Sequence, residues 1–484
     1  MKDLALSALD AVARRGVTYA DARALQIRDR EVTTKNGKAG HVSSSESMGI
    51  GIRVLAYGCW GFAATDDLTP AGIQSAAALA LQIARAGTAA RKQEVVLAPE
   101  RKYEATWVSP FRIDPFSIPV DRNLAVLLAV DAELRRVPGV SLAEASMHFE
   151  RRRQVFASTL GSLIDQTRCR TGAGFAALSY KDGEIQRRSY PNSFGGQYQL
   201  KGYELVEELR LLENAPRVAE EAVALHSADQ CPEGEFDLIL DSSQLGLQIH
   251  ESIGHPIELD RVLGSEANYA GMSFLTLDQL GRLRYGSEIV NVVCDARLEH
   301  GPGLGTFAFD DEGVPAQATD IIRGGRFVGY MTSRETAAAV GEARSNGCMR
   351  ADGWERLPLI RMTNVSLLAG EQSLEEVFGA DQAIYMETNR SWSIDDKRYN
   401  FQFGCEIGWE MRGGKRVRML KNPSYSGIST EFWNACAAIA GPQHWTLWGV
   451  PNCGKGQPEQ VMGTGHGASP ARFRKIRIGS AYAG

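Results

Sequence analysis

The 484-residue chain predicts an α+β protein in two regions: an N-terminal region of two repeated α/β hairpin-plus-helix units, then a β-rich C-terminal domain carrying one chemically loaded helix. Three observations lead there. A strand–turn–strand pattern recurs within residues 1–230. The texture changes near HSADQCPEGEFDLIL, where a Pro-Glu-Gly turn separates a helical segment from a strand beginning at Phe236. Beyond it, residues 231–484 read as short strands between Gly-rich turns, the main exception being the segment around HESIGH at 250–255.

In chain order, MKDLALSALDAVARRG spaces Leu4, Leu9, Val12 and Ala13 as an amphipathic helix over 2–15, and Asp3 and Asp10 exclude a secretory signal. YADARALQIRDREVTTKNG from Tyr19 and LAEASMHFERRRQVFASTLG from Leu142 each read as a hairpin, with Arg151–Arg153 on an exposed strand face. Each is followed by G-x-G-x-x-x-L-x-Y: Gly49, Gly51, Leu55 and Tyr57, then Gly172, Gly174, Leu178 and Tyr180, at a common offset of 123 residues. Helical segments flank both copies, 2–15 and 68–87 around the first, 121–137 and 203–225 around the second, which gives units 1–98 and 120–230. Between them, EVVLAPERKYEATWVSPFRIDPFSIPVD carries prolines at 99, 110, 115 and 119 and reads as a linker-like loop. Strands of the C-terminal domain are expected in EIVNVVCDA, RFVGYMT, IRMTNVSL, QAIYMET and NFQFGCEIGWEMR.

A net charge of −5 with no long basic block gives no support to a nucleic-acid partner, and no apolar run is long enough to span a bilayer. Eight cysteines without a C-x-x-C pair read as reduced thiols, so a cytoplasmic location is expected.

HESIGH differs from a zincin H-E-x-x-H by one extra residue. Positions i and i+4 differ by ~40° around a helix, i and i+5 by ~140°. His250 and His255 therefore share an ion only if the helix stops or widens between them. Ser242 or Ser243 caps the helix start; Gly254 is a helix terminator, and Pro256 disfavours the α conformation at His255. Glu251 would then reach a water at the metal. The spacing alone leaves two readings open, a metal site or unrelated polar residues at a helix end. For a further ligand His300, His444, His466 and several cysteines are candidates, Cys453 in the loop GVPNCGKGQP foremost, with Lys455 favouring its thiolate; the alternative is a buried loop cysteine.

HESIGHPIELDRVLGSEANYAG, FDDEGVPAQ, RMTN, SIDDKRYNFQFGCEIGWEMRGGK and NCGKGQPEQVMGTGHG, in this order and joined by GIRVLAYGCWGFAAT near the N-terminus, resemble the motifs of the TldD/PmbA metallopeptidases. The intact histidine motif resembles the TldD side. The resemblance implies zinc ligands at His250, His255 and Cys453 with Glu251 as base, and a dimer, homodimeric or with a PmbA-like chain, that encloses the site and cleaves unfolded or short polypeptides. One zinc ion per chain suits an N/S donor set, with iron or cobalt as other occupants. Glu258 and Asp260 are candidates to orient a ligand histidine, or are surface acids; Arg361 and Asn364 are candidates to orient a peptide, or hold structure. Asp310, Asp311 and Glu312 read as a hydrogen-bonding turn rather than a second metal site, and His466 as a loop residue. Two other functions fit the same residues: a peptide-binding subunit with little activity alone, and a metal-dependent hydrolase of small amides.

Overall fold

A computed structural model describes residues 1–13, 16–456 and 459–480. Positions 14 and 15 of the expected first helix, and Gln457 and Pro458 of the NCGKGQPEQ run, lie outside the described residues.

The N-terminal half forms one eight-stranded sheet. The hairpin Val17–Lys35/Lys38–Ala56 lies beside the hairpin Val140–Ser158/Leu163–Lys181, joined antiparallel through their first strands. Leu25 stands opposite Gly49 in one hairpin and His148 opposite Gly172 in the other. Both glycines lie under aromatic rings. A Cβ on Gly49 would fall 2.2 Å from the Trp354 ring, and one on Gly172 would fall 2.0 Å from Tyr198, so neither position admits a side chain.

Strand alternation gives the sheet one apolar face. Ala22, Ala24, Ile50 and Ile52 bury against the helix Pro70–Gly87, and Met147, Phe149, Ala173 and Phe175 against Val120–Arg136 and Leu211–Ala224. The expected helix over 203–225 divides into Glu204–Glu208 and Leu211–Ala224, because Arg210 adopts a left-handed φ of 47°. The presumed linker also holds an element. Its E-A-T-W-V run, Glu104–Val108, pairs parallel with Leu163–Lys181, where strand-forming Thr, Trp and Val meet an open sheet edge. The other face is polar and meets the C-terminal half. Arg152 belongs to that face, donating to the carbonyls of Ala351 and Asp352, whereas Arg151 and Arg153 pair with Asp114 and Asp165. The run is thus split between two faces rather than exposed on one.

In the C-terminal half, Gln382–Ile394, Gly234–Leu240, Ala471–Ser480, Pro423–Ile428 and Asn400–Arg412 pair in succession, and the last pairs back to the first, closing a small barrel. Phe403, Tyr425, Phe432, Trp433 and Phe473 belong to the core it shares with the helix Ser242–Ile249. That helix leaves the strand Gly234–Leu240 and is buried on all sides. Its cap is Asp241, not a serine: the carboxylate accepts the Ser243 and Gln244 N–H groups. A two-stranded ribbon, Thr446–Lys455 with Gln460–Ala468, lies against the helix.

Candidate metal centre

The helix does not stop after Ile249. It widens into a π-helical turn over His250–Gly254, where the His255 N–H donates to the His250 carbonyl at 3.1 Å. His255 keeps helical angles (φ −66°, ψ −42°) in spite of Pro256, so the widening, and not a break at the proline, accommodates the extra residue. Gly254 does not reverse the chain; it makes room for Met362, whose Sδ would lie 2.1 Å from a Cβ there.

The π turn brings the two imidazoles together, ring centroids 4.9 Å apart and nearly perpendicular. Cys453 joins them from the ribbon. It occupies a strand, not an exposed loop, and a register irregularity between Val450 and Cys453 accommodates Pro451. Donor atoms of His250, His255 and Cys453 lie within 4.8 Å of one another, and the Cys453 Sγ is 3.7 Å from His255 Nε2. Tetrahedral zinc with one N and one S ligand separates them by about 3.6 Å. The donor set fits the ion.

Hydrogen bonds decide which nitrogens are bare. His466 Nδ1 lies 3.0 Å from the Val365 carbonyl, which only accepts, so that nitrogen carries the hydrogen. Burial holds His466 well below its ordinary value and neutral, leaving Nε2 bare to accept from His250 Nδ1 at 2.8 Å. His250 Nε2 is then free to bind. On His255, Nδ1 donates to Glu258 at 3.0 Å and Nε2 faces Cys453. Burial pushes His250 down to about 4 and His255 well below 6.5, which keeps both imidazoles neutral.

Burial pushes the Cys453 thiol up, but Arg361 and His255 draw it down further, leaving it below its usual value. The cation favouring thiolate is thus Arg361, which also donates to the Cys453 and Gln460 carbonyls. Lys455 is buried elsewhere, on Asp260 at 2.7 Å, 3.5 Å from Glu258. Asn364 is also fully buried, bonded to Asp295, Gly305 and Thr306. The 310–312 turn is buried and clamped: Arg53 on Glu312 at 3.1 Å, Gln154 on Asp311 at 2.7 Å, and Asp310 on three backbone N–H groups. His300 bonds Ser366, away from the cluster.

Glu251, beside His250, receives Arg398 Nη1 on Oε2 at 2.7 Å, leaving Oε1 without a protein hydrogen bond among the described residues. Arg398 is no candidate on its sequence context, and His466, a candidate ligand that reads as a loop residue, instead lies in a strand and bonds His250. Each lies in a motif carrying the resemblance, SIDDKRYN and GTGHG.

A buried His–His–Cys cluster with an adjacent glutamate, on this fold, defines a metallopeptidase. The chain matches the PmbA/TldA metallopeptidase domain 1 over residues 20–84, the central domain over 113–228 and the C-terminal domain over 233–480. It belongs to that family, on the TldD side. It is 28% identical over 465 residues to a metalloprotease of Methanothermobacter thermautotrophicus, covering 96% of each chain. It is 28% identical over 249 residues to a zinc metalloprotease TldD homolog of Saccharolobus solfataricus, covering 51% of this chain and 52% of that one. TldE from Thermococcus kodakarensis has the same fold, with a TM-score of 0.74 at 14% identity and 99% coverage of both chains. Among the described residues no helix is long and apolar enough to cross a membrane.

Proposed function

We propose that the chain is a zinc-dependent peptidase of the cytoplasm, acting on unfolded or short polypeptides within a dimer, either of itself or with a PmbA-like chain. The catalytic region would be 231–484, and 1–230 would comprise the two hairpin-plus-helix units. The observation that carries the reading is the convergence of His250, His255 and Cys453 on one buried point beside Glu251.

His250 Nε2, His255 Nε2 and Cys453 Sγ would hold one ion and leave a fourth position open. When bound, zinc supplies Lewis acidity for activating water and polarising a carbonyl. Glu251 takes the proton of the attacking water on its free Oε1 and returns it to the leaving amine. His466 and Glu258 hold the two imidazoles in the tautomers that present Nε2. An extended substrate paired to a sheet edge would present its backbone to this point.

Glu251→Gln tests the base. The variant should retain about one zinc per chain by elemental analysis and lose casein cleavage; undiminished turnover would remove Glu251 from the mechanism. The Arg398–Glu251 ion pair favours a second reading, a peptide-binding subunit whose base stays occupied until a partner or substrate draws Arg398 away. Cleavage restored only on adding a PmbA-like chain would select it.

A further inference from the structure

The polar face of the N-terminal sheet and the C-terminal half enclose a cavity of about 370 Å³ whose walls carry Arg152, Arg168, Arg170 and Arg350. On its floor Arg152 stands directly opposite Arg168 in neighbouring antiparallel strands. Like charges in that position repel unless something lies between them.

Each acid around the cavity already has a partner, Glu150 among the cavity's own arginines, and none of them bonds Arg168. Asp29 is bonded to His148 at 2.6 Å, and Glu150 lies 3.6 Å from Arg152 and 3.5 Å from Arg170. Asp352 accepts the Val461 N–H, and Glu355 lies 3.7 Å from Arg356. Asp311, the remaining acid facing Arg168, is held by Gln154 and the Ala351 N–H. Arg152 and Arg350 donate to carbonyls, which satisfy hydrogen bonds without neutralising charge. The Nε atoms of Arg152, Arg170 and Arg350 are buried without a partner. Among the described residues Arg168 has neither hydrogen bond nor ion pair. Burial, then Arg152, holds its guanidinium down at about 10. Burial, then Arg168 and Arg361, holds Arg350 at about 9. Arg168 is thus the one arginine of the cavity without a bonded acid or carbonyl among the described residues.

We propose that this cavity is an oxyanion site, in which Arg168 takes a carboxylate or phosphate group beside Arg152 and Arg350. A guanidinium fork matches the two oxygens of such a group. None of His250, Glu251, His255 and Cys453 lines this cavity, although Met462, opposite Cys453 in the ribbon, does. On the strand Gln460–Ala468, Thr464 and His466 bond toward His250, while Val461 and Gly463 line the cavity. Two sources supply this chemistry: a free inorganic anion, or the terminal carboxylate of a peptide.

Thermal unfolding of the full chain tests the site with inorganic phosphate, a short peptide bearing a free C-terminal carboxylate, and the same peptide amidated, each against chloride at equal ionic strength. A saturable rise of several degrees is expected in the wild type with at least one of the two anions and not with the amide. A response to phosphate alone assigns a free anion, and a response to the acid peptide assigns a chain terminus. Arg168→Gln should abolish the rise, and its ligand-free melting temperature should equal or exceed the wild type's because a guanidinium without a bonded acid, beside Arg152, is gone. Arg168→Lys, which keeps the charge without the fork, should retain a weaker saturable rise. The proposal is overturned by no rise above chloride with either anion, or by an equal rise in Arg168→Gln, which would place the anion at the metal centre or elsewhere.

Discussion

Arg398 Nη1 lies 2.7 Å from Glu251 Oε2, tying the turn between two barrel strands to the glutamate of HESIGH. The turn itself is fixed. Arg398 has a left-handed φ of 66°, Asp395 accepts the Tyr399 and Asn400 N–H groups, and Ser429 donates to the Arg398 carbonyl at 3.0 Å. The guanidinium is therefore aimed, and it leaves Oε1 of Glu251 without a protein hydrogen bond among the described residues. Arg398→Ala is expected to lower peptidase kcat by roughly 10–100-fold with a smaller change in KM, and Arg398→Lys to fall between. A gain of activity in the alanine variant would instead favour the subunit that is silent until partnered.

His466 makes a second prediction. It accepts from His250 Nδ1 and donates to Val365, and with Thr464, 3.4 Å from the same Nδ1, it fixes which nitrogen of His250 is bare. Replacing it with Leu, closer to imidazole in volume, removes its bonds to His250, Thr464 and Val365. Zinc affinity, measured by competition with a chelator, should drop by roughly 10–100-fold while Glu251 and Cys453 stay in place. An unchanged affinity would make His466 a packing residue.

These two residues show where the sequence ran out. The relationship of His250, Glu251 and His255 is local, and helix geometry alone requires that the helix stop or widen between them, though not which of the two. His466 and Arg398 reach the site from 216 and 147 residues away, delivered by a ribbon and a barrel hairpin whose placement no local pattern encodes. Cys453 stands out locally as a candidate for a further ligand, but only the family resemblance implies that it is one. The Gly-rich settings of Cys453 and His466 suggest loops, yet both sit in strands, where glycines let neighbouring chains approach: a Cβ on Gly465 would lie 2.1 Å from Asn364 Oδ1. The strand Glu104–Val108 was hidden by the prolines around it, because its partner edge lies more than fifty residues on.

The buried histidines fix the pH response of the metal-free protein. His250 is held near 4 by burial against an ordinary 6.5, and His255 and His466 are lowered in the same direction. As pH falls from about 6.5 toward 4, the unfolded chain binds protons that the folded chain refuses, so stability is full above that window and is lost through it. At ~1.4 kcal/mol per pKa unit the loss from His250 is on the order of a few kcal/mol. Melting of chelator-treated protein should shift down steadily between pH 7 and pH 5, and His250→Gln should flatten the slope. A flat wild-type profile would mean that these imidazoles titrate in the fold as they do in the unfolded chain.

Gly254 is the residue on which the π turn depends sterically. A Cβ there would fall 2.1 Å from Met362 Sδ, and Met362 is fully buried, with its carbonyl held by Arg350. The thioether has no solvent to move into, so Gly254→Ala must displace either Met362 or the turn that presents His255. Overpacking of this kind costs about 1–3 kcal/mol. If the turn yields, zinc affinity falls with stability; if Met362 yields, stability alone falls. A double-mutant cycle separates this contact from the intrinsic helix preference of alanine. Met362→Ala alone opens a cavity and should destabilise, but Gly254→Ala made in that background should cost less than in the wild type, because the added methyl enters the vacated space. Strict additivity of the two changes in melting temperature would show that the glycine is not required by Met362.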